Sequence, residues 1–116
     1  MTLSTITIDV QTDEKKIPAA IHWSASDTGA DKKQAAKAMM IAFWDAAEKA
    51  ALRIDLWTQD MMVDEMADFF YQTLMTMADT FSRSTHQQEL ADDMKRFGNN
   101  FIEKFRSLQL RGQENT

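Results

Sequence analysis

The chain has 116 residues, a length typical of one domain that buries roughly two thirds of its unfolded surface. Its net charge of -5 disfavours nucleic-acid backbones and anionic lipid surfaces as partners. It contains no cysteine, which excludes disulfides, thiolate metal sites and cysteine nucleophiles and fits a reducing compartment.

The first segment of the chain predicts a β-hairpin. Residues Thr5 to Val10 alternate between apolar and polar side chains, as a half-buried strand requires. The polar run from Gln11 to Lys16 predicts the loop, and the only proline, Pro18, lies at the start of the return strand. In that return strand Ile21 and Trp23 are predicted to point inward.

The middle of the chain is harder to interpret. Ser24 to Gly29 is a break rich in turn-forming residues, and the alanine-rich segment Ala30 to Ala38 predicts a short, peripheral helix. The segment 39–44 either continues that helix or forms a strand with Ile41 and Phe43 inward. We favour the strand, with a loop at 45–50 and a return strand from Leu52 to Thr58.

Two long helices are predicted after Asp60, where the spacing of apolar residues changes from two to three and four. The stripe of the first helix consists of Val63, Met66, Ala67, Phe70, Leu74, Met77, Ala78 and Phe81. Thr85 and Gln88 match a T-x-x-Q capping box that would open the second helix, with His86 in its first turn. That helix would supply the other wall of the core through Leu90, Met94, Phe97, Phe101, Phe105 and Leu108.

These elements predict an α+β fold with the order ββ-α-ββ-αα, in which an antiparallel sheet of about four strands carries two long C-terminal helices on one face. Residues 1–116 are predicted to form a single domain, with 112–116 a disordered tail. The first ten residues have no basic segment leading into an apolar run, and the longest apolar run is far too short to cross a membrane. We therefore expect a cytoplasmic protein without membrane insertion.

The sequence predicts no catalytic, cofactor or metal site. The phosphate-binding and nucleophile motifs that glycines define are missing, so the chain is not expected to be an enzyme. An acidic cluster at Asp60, Asp64, Glu65 and Asp68 lacks the spacing of a calcium loop, and the charge preference of a helix N-terminus explains it more simply.

The sheet face opposite the helices is the candidate site. It is predicted to carry two tryptophans together with charged residues, namely Trp44, Trp57, His22, Arg53, Asp55 and Asp9. Exposed tryptophans indicate a protein partner or self-association. Two simpler interpretations stay open, a register shifted by one residue or a cover provided by the Ala30–Ala38 helix. For His22 beside Asp9, a solvated face with cross-strand charge pairs is simpler than a metal or acid–base site.

Several short segments together resemble one known family. They are Trp23-Ser24-Ala25, Trp44-Asp45, Ile54-Asp55-Leu56-Trp57 and Met77-Ala78-Asp79-Thr80-Phe81. In this order and spacing the chain is similar to the gliding-motility protein C (GldC) family of Bacteroidetes from Ile6 to about Phe105. The resemblance implies an accessory protein associated with gliding and with the secretion machinery that shares components with it, and it implies no catalytic residues.

A second function is also compatible with the sequence. A small-ligand binding module would place an apolar pocket between sheet and helices, lined by Trp23, Phe43, Phe70 and Phe97.

Overall fold

A computed structural model describes residues 2–26 and 32–114. The chain divides into two compact units, Met1–Met61 and Met62–Thr116, of which the first holds the strands and the second the helices. The α+β class is therefore confirmed. In place of one sheet of about four strands, however, the described residues form two antiparallel sheets with three and two strands. The predicted packing of the helices on a sheet stays a prediction.

The first sheet has the strand order β1-β2-β3, formed by β1 (Ile6–Thr12), β2 (Pro18–Ala25) and β3 (Gln34–Ala36). Ile8 lies opposite Trp23 and Val10 opposite Ile21, so the apolar residues of the predicted hairpin share one face. Ile21 is fully buried. The hairpin prediction is confirmed.

The loop between β1 and β2 is held by one carboxylate. Oδ1 of Asp13 accepts hydrogen bonds from the backbone N–H groups of Lys15, at 2.8 Å, and Ile17, at 3.0 Å. The amide of Ile17, followed by that of Lys15, lowers the pKa of Asp13 below its ordinary value. Lys16 takes a positive φ of 64°, which lets the chain reverse here.

The predicted helix from Ala30 to Ala38 is wrong wherever the structure describes it. Residues 34–36 form β3, which pairs antiparallel with β2, and Ala38 begins the next strand. Alanine favours a helix only weakly, and the ladder hydrogen bonds offered by β2 outweigh that preference. The first two residues of the predicted helix, and the predicted turn at Gly29, lie outside the described residues.

The second sheet is a hairpin of two strands, β4 (Ala38–Asp45) and β5 (Ala50–Trp57). The ambiguous segment 39–44 is therefore a strand, as favoured above. Oδ1 of Asp45 accepts hydrogen bonds from the N–H groups of Ala47 and Glu48 in the loop, and Lys49 takes a φ of 52°. A single residue, Lys37, separates β3 from β4, and its carbonyl accepts a 2.7 Å hydrogen bond from the backbone N–H of Thr58.

Helix α1 spans Val63–Thr85 and confirms the change of period after Asp60. At its N-terminus the carboxylate of Glu65 accepts a 3.1 Å hydrogen bond from the backbone N–H of Met62. Acidic residues occupy the first turn and Arg83 the last, so both ends match the helix dipole.

Helix α2 spans Gln88–Glu114, and it begins later than the predicted capping box implies. Thr85 is the last residue of α1, and its hydroxyl donates a 2.7 Å hydrogen bond to the carbonyl of Phe81. His86 takes a left-handed conformation with φ 61° and ends α1, so it is not a first-turn residue of α2. The helix runs on through Gly112 into the segment predicted as a tail. In the described part of the chain neither helix offers a stretch long and apolar enough to cross a bilayer.

The two helices meet through small side chains. Ala67 and Ala78 of α1 and Ala91 of α2 are buried, together with Gly98 and Ile102 of α2. A Cβ added at Gly98 would lie 3.1 Å from Sδ of Met75 and 3.6 Å from Cβ of Leu74. Any side chain at position 98 would therefore have to displace Met75, and glycine avoids this at the close approach of the two helices.

This close approach makes Gly98→Leu a direct test of the helix–helix interface. We expect the substitution to destabilise the protein by about 1–3 kcal/mol, because the added carbons meet α1 even though leucine favours a helix more than glycine. Urea unfolding followed by circular dichroism measures the change. Gly112→Leu is the matched control, since nothing lies within 4 Å of a Cβ at Gly112. Equal stability of the two variants would contradict the close approach.

Candidate functional site

The β4–β5 hairpin brings both tryptophans of the predicted site onto one face. Trp57 pairs with Ala38 and Trp44 with Ala51, so the two side chains point to the same side at opposite ends of the ladder. Six residues of strand separate Ala38 from Trp44, which puts the tryptophans about 20 Å apart. Trp44 is 69% exposed and Trp57 is 58% exposed. We call the surface formed by Trp44, Arg53, Asp55 and Trp57 the tryptophan face.

An ion pair occupies the middle of the tryptophan face. Arg53 donates to both carboxylate oxygens of Asp55, from Nη2 at 2.8 Å and from Nε at 3.1 Å. This bidentate bond raises the pKa of Arg53 further above its ordinary value, so the guanidinium stays charged. The two residues lie two positions apart on β5 and neutralise each other. The centre of the face is therefore polar and has no net charge.

Asp9 and His22 lie in the other sheet. They are opposite each other in the β1–β2 ladder, as the sequence predicted. Oδ2 of Asp9 lies 3.4 Å from Nζ of Lys33 in an exposed ion pair. The prediction that these two residues share one sheet with the tryptophans is wrong, because the pairing of the strands divides them between two ladders. Their part in partner binding stays a prediction.

The reverse side of the β4–β5 hairpin is apolar except at its turn end, where Asp45 pairs with Ala50. Its three apolar cross-strand pairs are Met39 with Leu56, Ile41 with Ile54, and Phe43 with Leu52. The sequence assigned this side to the core, yet Phe43, Leu52 and Ile54 are exposed. The hairpin therefore carries exposed apolar side chains on both faces, which the sequence analysis did not predict. Phe43 and Leu52 are visible in the sequence as apolar residues on the side opposite the tryptophans, and they were the signal for a second apolar face.

An open groove of about 290 Å³ runs beside Thr58 in the strand unit. Thr58 is buried, and its hydroxyl donates to Oδ1 of Asp60 at 2.5 Å. This hydrogen bond, together with the positive charge of Lys37, lowers the pKa of Asp60. His22 also lines the groove. The four residues predicted to line a ligand pocket (Trp23, Phe43, Phe70 and Phe97) do not line this groove, and Phe43, Phe70 and Phe97 are exposed.

Two acidic residues in the first turn of α1 accept hydrogen bonds from backbone N–H groups at the start of the helix. Asp64 accepts a 3.0 Å hydrogen bond from the N–H of Glu65, which itself caps Met62. Within residues 2–26 and 32–114 no three acidic or histidine side chains come together as metal ligands would. The simpler interpretation of this cluster, charge at a helix N-terminus, accounts for these contacts.

Strand order, helical hairpin and exposed apolar side chains define a small α+β protein in which both units carry large apolar residues on their surfaces. The family model described as gliding motility-associated protein GldC-like matches residues 18–107, and the chain belongs to this family. The resemblance drawn from the sequence is thereby confirmed. No curated protein and no solved structure matches the chain.

The hydrogen bond between Thr58 and Asp60 predicts how stability depends on pH. Folding lowers the pKa of the Asp60 carboxyl. The ionised carboxylate therefore stabilises the folded protein at pH values above its unfolded pKa of about 3.9, and this stabilisation is lost as the pH falls through the folded pKa. Thr58→Val removes the hydroxyl and should lower the urea midpoint at pH 7, with a smaller deficit at pH 3. Thr7→Val, at an exposed position of β1, is the control. A deficit that stays constant from pH 7 to pH 3 would show that the Asp60 carboxylate plays no part.

Proposed function

We propose that the protein is a non-enzymatic accessory protein of gliding motility that binds a protein partner through the tryptophan face. The observation that carries this proposal is the exposure of Trp44 and Trp57 on one side of the β4–β5 hairpin. Membership of the GldC-like family supports the link to gliding motility. The lack of cysteine supports a reducing compartment such as the cytoplasm.

Exposed tryptophans favour binding because each offers a large, rigid apolar surface. A tryptophan that is about 60% exposed presents roughly 100–150 Å² to a partner. Covering that area contributes about 3 kcal/mol per side chain before the cost of association is subtracted. Tryptophan and arginine are the residue types most enriched among the side chains that dominate binding energy. The tryptophan face holds all three such side chains of this hairpin.

The ion pair between Arg53 and Asp55 gives this surface selectivity. Because each charge already has its partner, an apolar group can approach the tryptophans without desolvating an unpaired charge. A strongly charged partner gains little from a face that has no net charge of its own. The chemistry of the face therefore favours a partner with apolar or aromatic side chains spaced to reach both tryptophans.

The contacts of the only two histidines support a role without catalysis. His22 lies opposite Asp9, whose carboxylate is paired with Lys33, and this arrangement favours cross-strand charge pairs over an acid–base pair facing a substrate. His86 ends α1 in a left-handed conformation, where its backbone N–H donates to the carbonyl of Ser82 at 2.8 Å.

Trp57→Glu tests the proposed binding. The charge placed on the tryptophan face should abolish capture of the partner by the tagged chain from extracts of its native host, while the far-UV circular dichroism stays unchanged. Strains carrying Trp57→Glu in place of the wild-type chain should then spread less over a surface. The measurements are the recovery of partner bands by mass spectrometry and the diameter of the spreading colony.

Leu3→Glu is the matched control, because Leu3 is exposed and lies before β1. It should leave both capture and spreading at wild-type levels. If Trp57→Glu retained the same set of captured proteins at equal abundance, the tryptophan face would not be the binding surface. If Trp57→Glu failed to fold, Trp57 would be a core residue.

A further inference from the structure

The helical unit carries large exposed apolar side chains along one stripe of each helix. On α1 they are Val63, Phe70 and Met77, and on α2 they are Leu90, Phe97 and Leu108, all of which are exposed. Those of α1 are seven residues apart, as are Leu90 and Phe97, and Leu108 follows Leu90 by eighteen residues, which is five helical turns. We call these six residues the heptad face. None of them is charged.

The six side chains lie on one side of the helical hairpin. At about 100° per residue, those of α1 fall within about 40° of one another, and those of α2 within about 20°. Both groups are rotated by roughly 70–100° from the buried alanines that join the helices. Because α1 and α2 run antiparallel, rotations of this sense bring the two groups to the same side. The polar pairs of Tyr71 with Asn99 and of Lys95 with Asp79 lie on the opposite side.

The spacing indicates what kind of surface fits the heptad face. A repeat of seven residues keeps apolar side chains aligned with another helix, because two helices that supercoil meet every 3.5 residues. Val63, Phe70 and Met77 follow this repeat across the first two thirds of α1, and Leu90 and Phe97 follow it in α2. The heptad face therefore fits helices, and a second copy of this chain supplies the same two helices with matching apolar stripes.

We propose that the heptad faces of two copies pack together to form a four-helix bundle. The area agrees with this arrangement. The exposed parts of the six side chains together have about the surface of three fully exposed large side chains. This corresponds to about 500 Å² of apolar surface. A homodimer of standard size buries about 800 Å² on each partner, of which about two thirds is apolar. A single heptad face supplies that apolar area.

Phe97→Glu in the full-length chain tests the proposed dimer. Sedimentation equilibrium of the wild-type chain should give twice the monomer mass at micromolar concentration. Phe97→Glu places a charge in the middle of the interface and should weaken the dimer at least about tenfold, without loss of the helical signal at 222 nm. Met77→Glu, on the other helix, should have the same effect and serves as the second variant if the first does not fold.

Leu110→Glu is the matched control. Phe97 and Leu110 are both 61% exposed and both lie on α2, but Leu110 is rotated away from the heptad face. It should leave the dimer intact. A wild-type chain that stays monomeric would overturn the proposal. A dimer that survives Phe97→Glu and Met77→Glu but is lost in Trp57→Glu would also overturn it.

Discussion

The close contact between α1 and α2 decides where the large side chains of the helical unit can go. Alanines and Gly98 meet at this contact, and even one added carbon at Gly98 would lie 3.1 Å from Met75. Where the helices approach this closely, at Gly98, there is no room for a further large side chain between them. The large residues of the same apolar stripes must therefore lie beside the contact. Phe70 and Phe97 are exposed for this reason and not because the helices lack apolar residues.

The strand unit also leaves large apolar side chains exposed, but for a different reason. A two-stranded hairpin has two faces and no third strand, so within this sheet a side chain on either face has cross-strand neighbours on one strand only. In the β4–β5 hairpin one face carries the tryptophans and the other three apolar pairs. Thr58 ties the end of β5 back to Lys37 through its backbone and fixes the point where β3 passes into β4. Such a hairpin gains most of its stability from whatever packs on its faces.

Local patterns predict most of the fold, because period and turn chemistry are properties of neighbouring residues. The alternation in β1 and β5 and the three-and-four spacing in α1 identify those elements from the sequence. The alanine-rich segment that forms β3 does not follow its own preference, since pairing with β2 depends on residues far away in sequence. The T-x-x-Q pattern at Thr85 also fails, because α1 uses that hydroxyl to bond Phe81 before α2 begins.

The candidate site shows the same division between local and distant information. Alternate residues of a strand point to the same side, which places Arg53, Asp55 and Trp57 of β5 on one face. The pairing of β4 with β5 adds Trp44 to that face. The separation of Asp9 and His22 into another sheet depends on the bend at Lys37, which no short pattern in the sequence indicates. From their spacing, the apolar stripes of α1 and α2 are predicted to lie wholly in a core, because periodicity shows which side of a helix is apolar. It does not report how narrow the contact with the neighbouring helix is.

The tryptophan face and the heptad face together determine how strongly the protein binds a partner, if both proposals hold. Two copies joined through the heptad face contribute one tryptophan face each, so the assembly presents two binding surfaces to its partner. A partner that carries two copies of its binding segment would then be bound at two points. The second contact forms at the high effective concentration set by the first, which strengthens binding without any additional residue. Moderate affinity at each tryptophan face is sufficient under these conditions, and a surface of two tryptophans separated by a neutral ion pair fits that requirement.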